Sequence, residues 1–346
     1  MKSFWIKLVA SLVIGAFFIW MAARGVNWDD LQRVFSQVDG MRLLGYLVIL
    51  SAVQFVRILR WGILLKPLGR VGFGRLMSVG SVGIMALILL PLRLGEFARP
   101  ILIARPGGIR VSAALATVVV ERVVDSLAMA LLLTSILFFL GDRLQVPFEI
   151  HTWAWAILVV FLLILVFLVV AHRRREKTIA WFRRWPLRLL PGRLSGRLES
   201  ILRSFIDGLQ ALPNMRLAAV FLAMTVLYWG MAGAGLWYMF GAFEELGHLG
   251  LIEAFTVLSI LCVGLMIPAG PGMIGNFHYF TKLGLSLFIS KALLGTSGMA
   301  FAIIVHAMQL GQQVLWGVPF LFTAHISLRR IIAPTGSGQG AEQRSA

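Results

Sequence analysis

Three acidic and basic side chains sit where an apolar run leaves them no water. The stretch from Thr117 to Asp125 places Glu121, Arg122 and Asp125 among valines. Glu121 and Asp125 are four residues apart and share a helix face, and Arg122 and Asp125 are three apart and can pair. Glu121 falls nine residues after Ser112, roughly 14 Å along a helix axis, which is membrane depth if a span begins there. Each such charge costs about 2.5–3.5 kcal/mol to insert, so all three are expected to face protein or water. A second group, Arg93, Glu96 and Arg99, repeats every three residues along one face of a Pro-interrupted stretch. Two readings of these six residues stand together: a polar site, or an ion-pair cluster that locks two segments to each other. A third group follows a Gly270-Pro271-Gly272 break and comprises Gly275, His278 and Lys282, with His306 further on. A half-helix opening at such a break aims free N–H groups inward, where they favour an anion such as phosphate. The histidines suit either proton carriage or hydrogen bonding between helices. HExxH, CxxC, Walker and GxSxG patterns are all missing, and the six histidines lack metal-ligand spacing, so neither catalytic residues nor a metal site is expected.

The elements that must carry these residues are transmembrane helices. Of 346 residues, 59% are hydrophobic and 14% charged, and several apolar runs exceed the roughly 20 residues that a spanning helix needs. A soluble domain of this composition would leave too much apolar surface in water. Six full spans are expected, at 4–23, 41–64, 112–140, 152–171, 216–240 and 298–323. A cleaved signal peptide ending near Ala23 competes for the first, on a weak cleavage site. Arg57 and Arg60, late in the second span, are expected to snorkel toward the interface beside Lys66 and Arg70. Two further segments do not suit ordinary spans. Residues 76–104 break at Pro91 and carry three charges, which predicts a re-entrant hairpin. Residues 252–290 break at 268–272, which predicts two short spans or a second hairpin. Broken backbone at membrane depth requires a protein or water-filled surround. Paired interruptions in two halves point to a transporter site near the midplane, although the halves share no letter-by-letter repeat.

The charge pattern orients the chain. Net charge is +17, with the basic residues gathered in loops, so topology rather than nucleic acid explains the excess. Residues 172–215 hold ten Lys/Arg against three acids, whereas 241–251 holds only Glu244 and Glu245. The positive-inside rule places 172–215 in the cytoplasm, and counting spans from there places both termini inside. Within that loop Leu198, Ile201, Leu202, Phe205 and Leu209 recur at helical spacing, predicting a surface helix with Trp181 and Trp185 as interface anchors. The loop suits anionic lipid or a soluble cytoplasmic protein partner. The lone cysteine, Cys262, excludes an intramolecular disulfide.

One resemblance is specific. The pattern Pro-x-Arg-x-Gly-Glu-x-x-Arg-Pro at Pro91, Arg93, Gly95, Glu96, Arg99 and Pro100, followed by Glu121-Arg122-x-x-Asp125, resembles a flippase-like membrane family. That family includes the transmembrane domain of bacterial lysylphosphatidylglycerol synthases. Pro271, Gly272 and Gly275 resemble its Pro-Gly-x-x-Gly element, and Arg60-Trp61 with Leu64-Leu65 resembles its second span. The resemblance covers roughly residues 1–330 and departs at His278, where many relatives carry Glu. It implies a lipid translocator in which Arg93 and Arg99 hold a phosphate. Glu121 and Asp125 would orient those arginines and receive cationic headgroup atoms or protons. The synthases add a large aminoacyl-transferase domain, whereas residues 331–346 here are a short polar tail expected to be disordered, so lysyl transfer is not expected.

The expectation is an all-α polytopic bundle: one membrane domain over 1–330, with six spans and two broken hairpins, in the inner or plasma membrane. Its partners would be membrane lipids, anionic or phosphate-bearing. No cofactor is expected, and neither is a nucleotide, since no ATP motif is present. A membrane enzyme acting on lipid-linked substrates, or a non-catalytic assembly partner, are the competing readings.

Overall fold

A computed structural model describes residues 2–90, 95–104, 108–144, 148–184, 192–209, 215–267 and 270–323. Among these residues every regular element is helical, and the fold is an all-α membrane bundle. The chain runs α1 (Lys2–Ala23), α2 (Trp28–Gln37), α3 (Gly40–Leu65), α4 (Phe73–Leu89), α5 (Ala98–Ile103), α6 (Val111–Leu144) and α7 (Phe148–Arg173). It continues with α8 (Arg175–Arg184), α9 (Gly192–Gly208), α10 (Met215–Phe240), α11 (Leu251–Gly264), α12 (Asn276–Leu285), α13 (Lys291–Gly295) and α14 (Ser297–Thr323). Five helices in α3, α6, α7, α10 and the α13–α14 region are long and apolar enough to cross a bilayer. They coincide with five of the six expected spans; the sixth is α1, a helix of 22 residues.

Each broken segment is a pair of short helices lying against one another. Arg75 at the start of α4 donates to the carbonyls of Leu102 and Ile103 at the end of α5, both at 3.2 Å, so the two limbs begin and end at one level. Midway, Gly95 lies against the backbone of Ala86 and Leu87, an approach that a Cβ would block. In the second segment Asn276 Nδ2 donates to Ile267 O at 3.2 Å, and Gly284 faces the backbone of Val257. Helices α11 and α12 have 14 and 10 residues, roughly 21 and 15 Å, and pack on each other as a short helical pair.

Packing relates the two halves. Helices α3 and α10 pack on each other. The first hairpin packs through α4 on α14, and the second packs through α11 on α6. Each hairpin's second limb rests on the long helix that follows it, α5 on α6 and α12 on α14. Three long helices, α6, α7 and α10, separate the two broken segments along the chain. The correspondence between the halves is partial, since among the described residues α3 also packs on α6 and α14 while α10 has no comparable contact with either.

Two elements differ from expectation. Helix α2 was not foreseen: Asn27 caps it by accepting from Asp30 N at 3.4 Å, and Leu31 and Val34 bury its apolar edge. The basic loop contains two helices rather than one, and α9 packs on the start of α6. Gly208 sits against Ala113 and Ala116, and Arg110 donates to Ser204 Oγ at 2.8 Å. Ile206 and Leu209 are buried there, whereas Ile201 and Trp181 stay exposed. Trp185 and the tail 331–346 lie outside the described residues.

Candidate functional site

The carboxylates of α6 determine the site, because both are buried. Glu121 is fully buried and Asp125 nearly so. Arg99, brought in by α5, donates to Glu121 Oε2 at 2.8 Å. Arg122 Nη2 lies 3.0 Å from Glu121 Oε1 and 3.0 Å from Asp125 Oδ2. The fourth member corrects the expectation for α3: Arg60 does not snorkel but is 0% exposed. It grips Asp125 through both Nη atoms, with Nη2 at 2.9 Å from Oδ2, and reaches Glu121 Oε1 at 3.2 Å and Thr225 Oγ1 at 3.2 Å. Trp229 Nε1 donates to Asp125 Oδ1 at 3.2 Å. The physical reason is balance: two buried carboxylates on one helix face require cations, and a guanidinium supplies a planar fork where no water can.

Aromatic rings enclose this network. The Arg60 guanidinium lies 4.7 Å from the Tyr228 ring centroid and the Arg99 guanidinium 5.1 Å from that of Trp61. Trp61 is held in turn by Thr117, whose Oγ1 accepts its Nε1–H at 3.0 Å. α5, the short limb of the first hairpin, is thereby locked to α6 by an ion pair. Of the two readings of the charged groups, the ion-pair cluster that locks two segments together is present between α5 and α6.

The other face opens on a cavity of about 430 Å³. Arg57, Arg122 and Asp125 line it together with Glu96 of the first broken segment. From the second hairpin come Met266, Gly272, Met273 and Phe277, and from α14 come His306, Gln309 and Gln313. The cavity is therefore where both hairpins, the charged face of α6 and the final long helix meet. Glu121, Arg60 and Arg99 do not line it; they form the layer behind the wall. Arg93 lies outside the described residues.

The residues of the second break divide. His306 Nε2 donates to Gly272 O at 2.8 Å and its ring stacks on Phe277 at 4.2 Å, bonding α14 to the turn before α12. His278 lies 4.9 Å from His306, ring to ring, and its Nδ1 accepts from Gly275 N at 3.3 Å. That bond occupies one of the N–H groups that the Gly-rich opening offered to an anion. Gly272 and Gly275 adopt φ of 68° and 96°, which favours glycine, and Gly275 also touches Gly15 of α1. Gly270 and Pro271 belong to the same turn, packed beside Gly15. Lys282 faces away from the cavity: Nζ donates to Ala22 O at 2.6 Å and Arg24 O at 3.2 Å, closing the C-terminal end of α1. Among the described residues no three His, Cys, Asp or Glu side chains converge on a metal-sized site.

Sequence reading missed Arg57, Tyr228, Trp229, Gln309 and Gln313 as wall residues. The available signal was Arg57 and Arg60 three apart, with apolar residues continuing to Leu65 beyond them. Arginines that snorkel sit at a span's end, not a turn or more inside it.

Comparisons with known proteins identify a membrane family. A family model described as the lysylphosphatidylglycerol synthase TM region matches residues 8–317. A UPF0104 membrane protein of Methanocaldococcus jannaschii is 27% identical over 197 residues, covering 55% of this chain and 74% of that protein. No solved structure matches.

Proposed function

We propose that this chain, which belongs to the lysylphosphatidylglycerol synthase TM region family, moves a phosphate-bearing lipid between the leaflets of the inner or plasma membrane. The observation that carries this reading is the cavity of about 430 Å³, bounded by both broken segments and by the charged face of α6. A polar cavity inside a membrane bundle lowers the cost of carrying a headgroup past the hydrocarbon, while the acyl chains remain in lipid. Hairpins entering from opposite sides would supply the two elements whose alternate displacement opens the cavity to one leaflet and then the other. The Arg60–Asp125–Arg122–Glu121–Arg99 network gives that motion a fixed centre. With no nucleotide motif, movement would run downhill or couple to an ion gradient.

Transport fits better than chemistry on the lipid. A general base must reach its substrate with a free lone pair. Glu121 is enclosed by three guanidiniums and does not line the cavity, and Asp125 is held by Arg60, Arg122 and Trp229. The test is reconstitution of purified protein into vesicles carrying fluorescent phospholipids in one leaflet. Lipids should exchange leaflets faster than in protein-free vesicles and emerge chemically unaltered. Altered lipid, or no exchange with any anionic or zwitterionic lipid, would count against the translocator reading.

A further inference from the structure

The periodicity of the basic segment picks residues 198–209 as its surface helix, and the structure gives that role to a different helix. The end of α9 is enclosed: Ser204, Ile206 and Leu209 are buried, and Gly208 lies against Ala113 and Ala116 of α6. Helix α8 packs on α7 and on α9, which makes it the outer member of the pair. Its two faces differ. Arg175, Ile179 and Phe182, spaced four and three apart, turn toward α9. Arg175 Nη2 lies 3.0 Å from Asp207 Oδ1, Ile179 is buried and Phe182 is half-buried. Lys177, Trp181 and Arg184 repeat the same spacing on the opposite face, and all three are exposed.

Charge is separated in the same way. Residues 172–215 contain three acids, Glu176, Glu199 and Asp207, and two arginines take all of them. Arg175 holds Asp207, and Arg203 holds Glu176 at 3.3 Å and Glu199 at 2.9 Å. Arg173, Arg174, Lys177, Arg183 and Arg184 are exposed and have no ion pair among the described residues. These cations repel one another, and an anionic surface relieves the repulsion. The nearest such surface is a bilayer, because α8 begins one residue beyond α7, which is long and apolar enough to span. An exposed tryptophan among the cations fits headgroups better than it fits water.

We propose that α8 docks through Lys177, Trp181 and Arg184 on the anionic headgroups of the leaflet at which α7 ends. Helix α9, tied to α6 by the Arg110–Ser204 bond and the Gly208 contact, holds α8 in place before it meets lipid, so docking orders little more of the chain. This contact is with a bilayer surface rather than with the cavity, and it does not depend on leaflet exchange.

The full chain in nanodiscs tests it, with a fluorophore on Ala180→Cys, an exposed position of α8, in a Cys262→Ala background that removes the other thiol. Lipids carrying a headgroup nitroxide quench the fluorophore when α8 lies on the surface. Quenching should be greater in nanodiscs containing phosphatidylglycerol than in phosphatidylcholine alone. It should fall to the phosphatidylcholine level in about 1 M salt, where screening acts within roughly 3 Å. Arg184→Glu should lower the docked-to-free ratio about 5-fold or more, the effect of one basic residue at an anionic surface. Arg183→Glu, the same charge change on another flank of the helix, should lower it less. Equal quenching in the two kinds of nanodisc overturns the proposal, and so do equal losses in Arg183→Glu and Arg184→Glu, which would reduce the effect to net charge. Displacement of α8 from phosphatidylglycerol nanodiscs by stoichiometric polyglutamate would overturn it in favour of an acidic protein partner.

Discussion

Asp125 illustrates how much a single buried side chain can organise. With both oxygens doubly engaged, it joins α3, α6 and α10 through Arg60, Arg122 and Trp229. Breaking such a pair from one side leaves a buried charge uncompensated, which typically costs about 3–5 kcal/mol. Asp125→Asn and Arg60→Gln are each expected to destabilise on that scale in denaturant unfolding of the detergent-solubilised protein. The double variant should lose markedly less than the sum, because the second change removes the charge that the first one stranded. Additive losses would mean that the two residues do not act as a pair. Lys282 belongs to a different part of the fold: it closes the end of α1 by donating to Ala22 O and Arg24 O. Lys282→Met should cost about 1–3 kcal/mol and make the segment after Ala23 more susceptible to protease, whereas a change in lipid preference is not expected of a residue facing away from the cavity.

At the scale of elements, the long apolar runs and the two proline–glycine breaks were legible because each leaves a compositional mark. The five long helices, and the short helices on either side of each break, lie where hydropathy and the proline–glycine positions put them. What stayed hidden depends on partners distant in sequence. Arg60 read as an interface residue because its carboxylate partners lie 61 and 65 positions away. Helix α2 is only ten residues long, with two acids in its first turn, so its apolar edge of Leu31 and Val34 was too short a pattern to register. Lys282 and His278 looked alike at a spacing of four, but one caps α1 and the other caps its own helix. The hairpin prediction belongs here as well. Gly95 has no room for a Cβ against the Ala86 and Leu87 backbone, so Gly95→Ala must push the two limbs apart. It should cost about 1–3 kcal/mol, as overpacking does, read as a lowered unfolding midpoint. An unchanged midpoint would show that the limbs do not touch as described.

The whole molecule combines a partial repeat of contacts with an asymmetry of charge. Swapping the halves exchanges α3 with α10, the α4–α5 hairpin with the α11–α12 hairpin, and α6 with α14. The ion-pair network belongs to the first set of helices, while the second contributes His306, Gln309 and Gln313 to the same cavity. The basic segment 172–215 and the acidic 241–251 predict that both termini share the cytoplasmic side, so reporters fused before Met1 and after Ala346 should both be active there. A reporter active on the other side at either end would reverse the hairpins' directions. The central claim is that lipid headgroups pass through the cavity rather than around the bundle. Ala232 on α10 lines it with a small side chain, and Ala232→Trp would fill it from a helix that carries none of the ion pairs' charges. The most direct measurement is leaflet exchange of fluorescent phosphatidylglycerol in vesicles containing wild type or Ala232→Trp, each with its unfolding midpoint. Exchange that stops in a variant as stable as wild type is the predicted result; exchange at the wild-type rate through a filled cavity would contradict it.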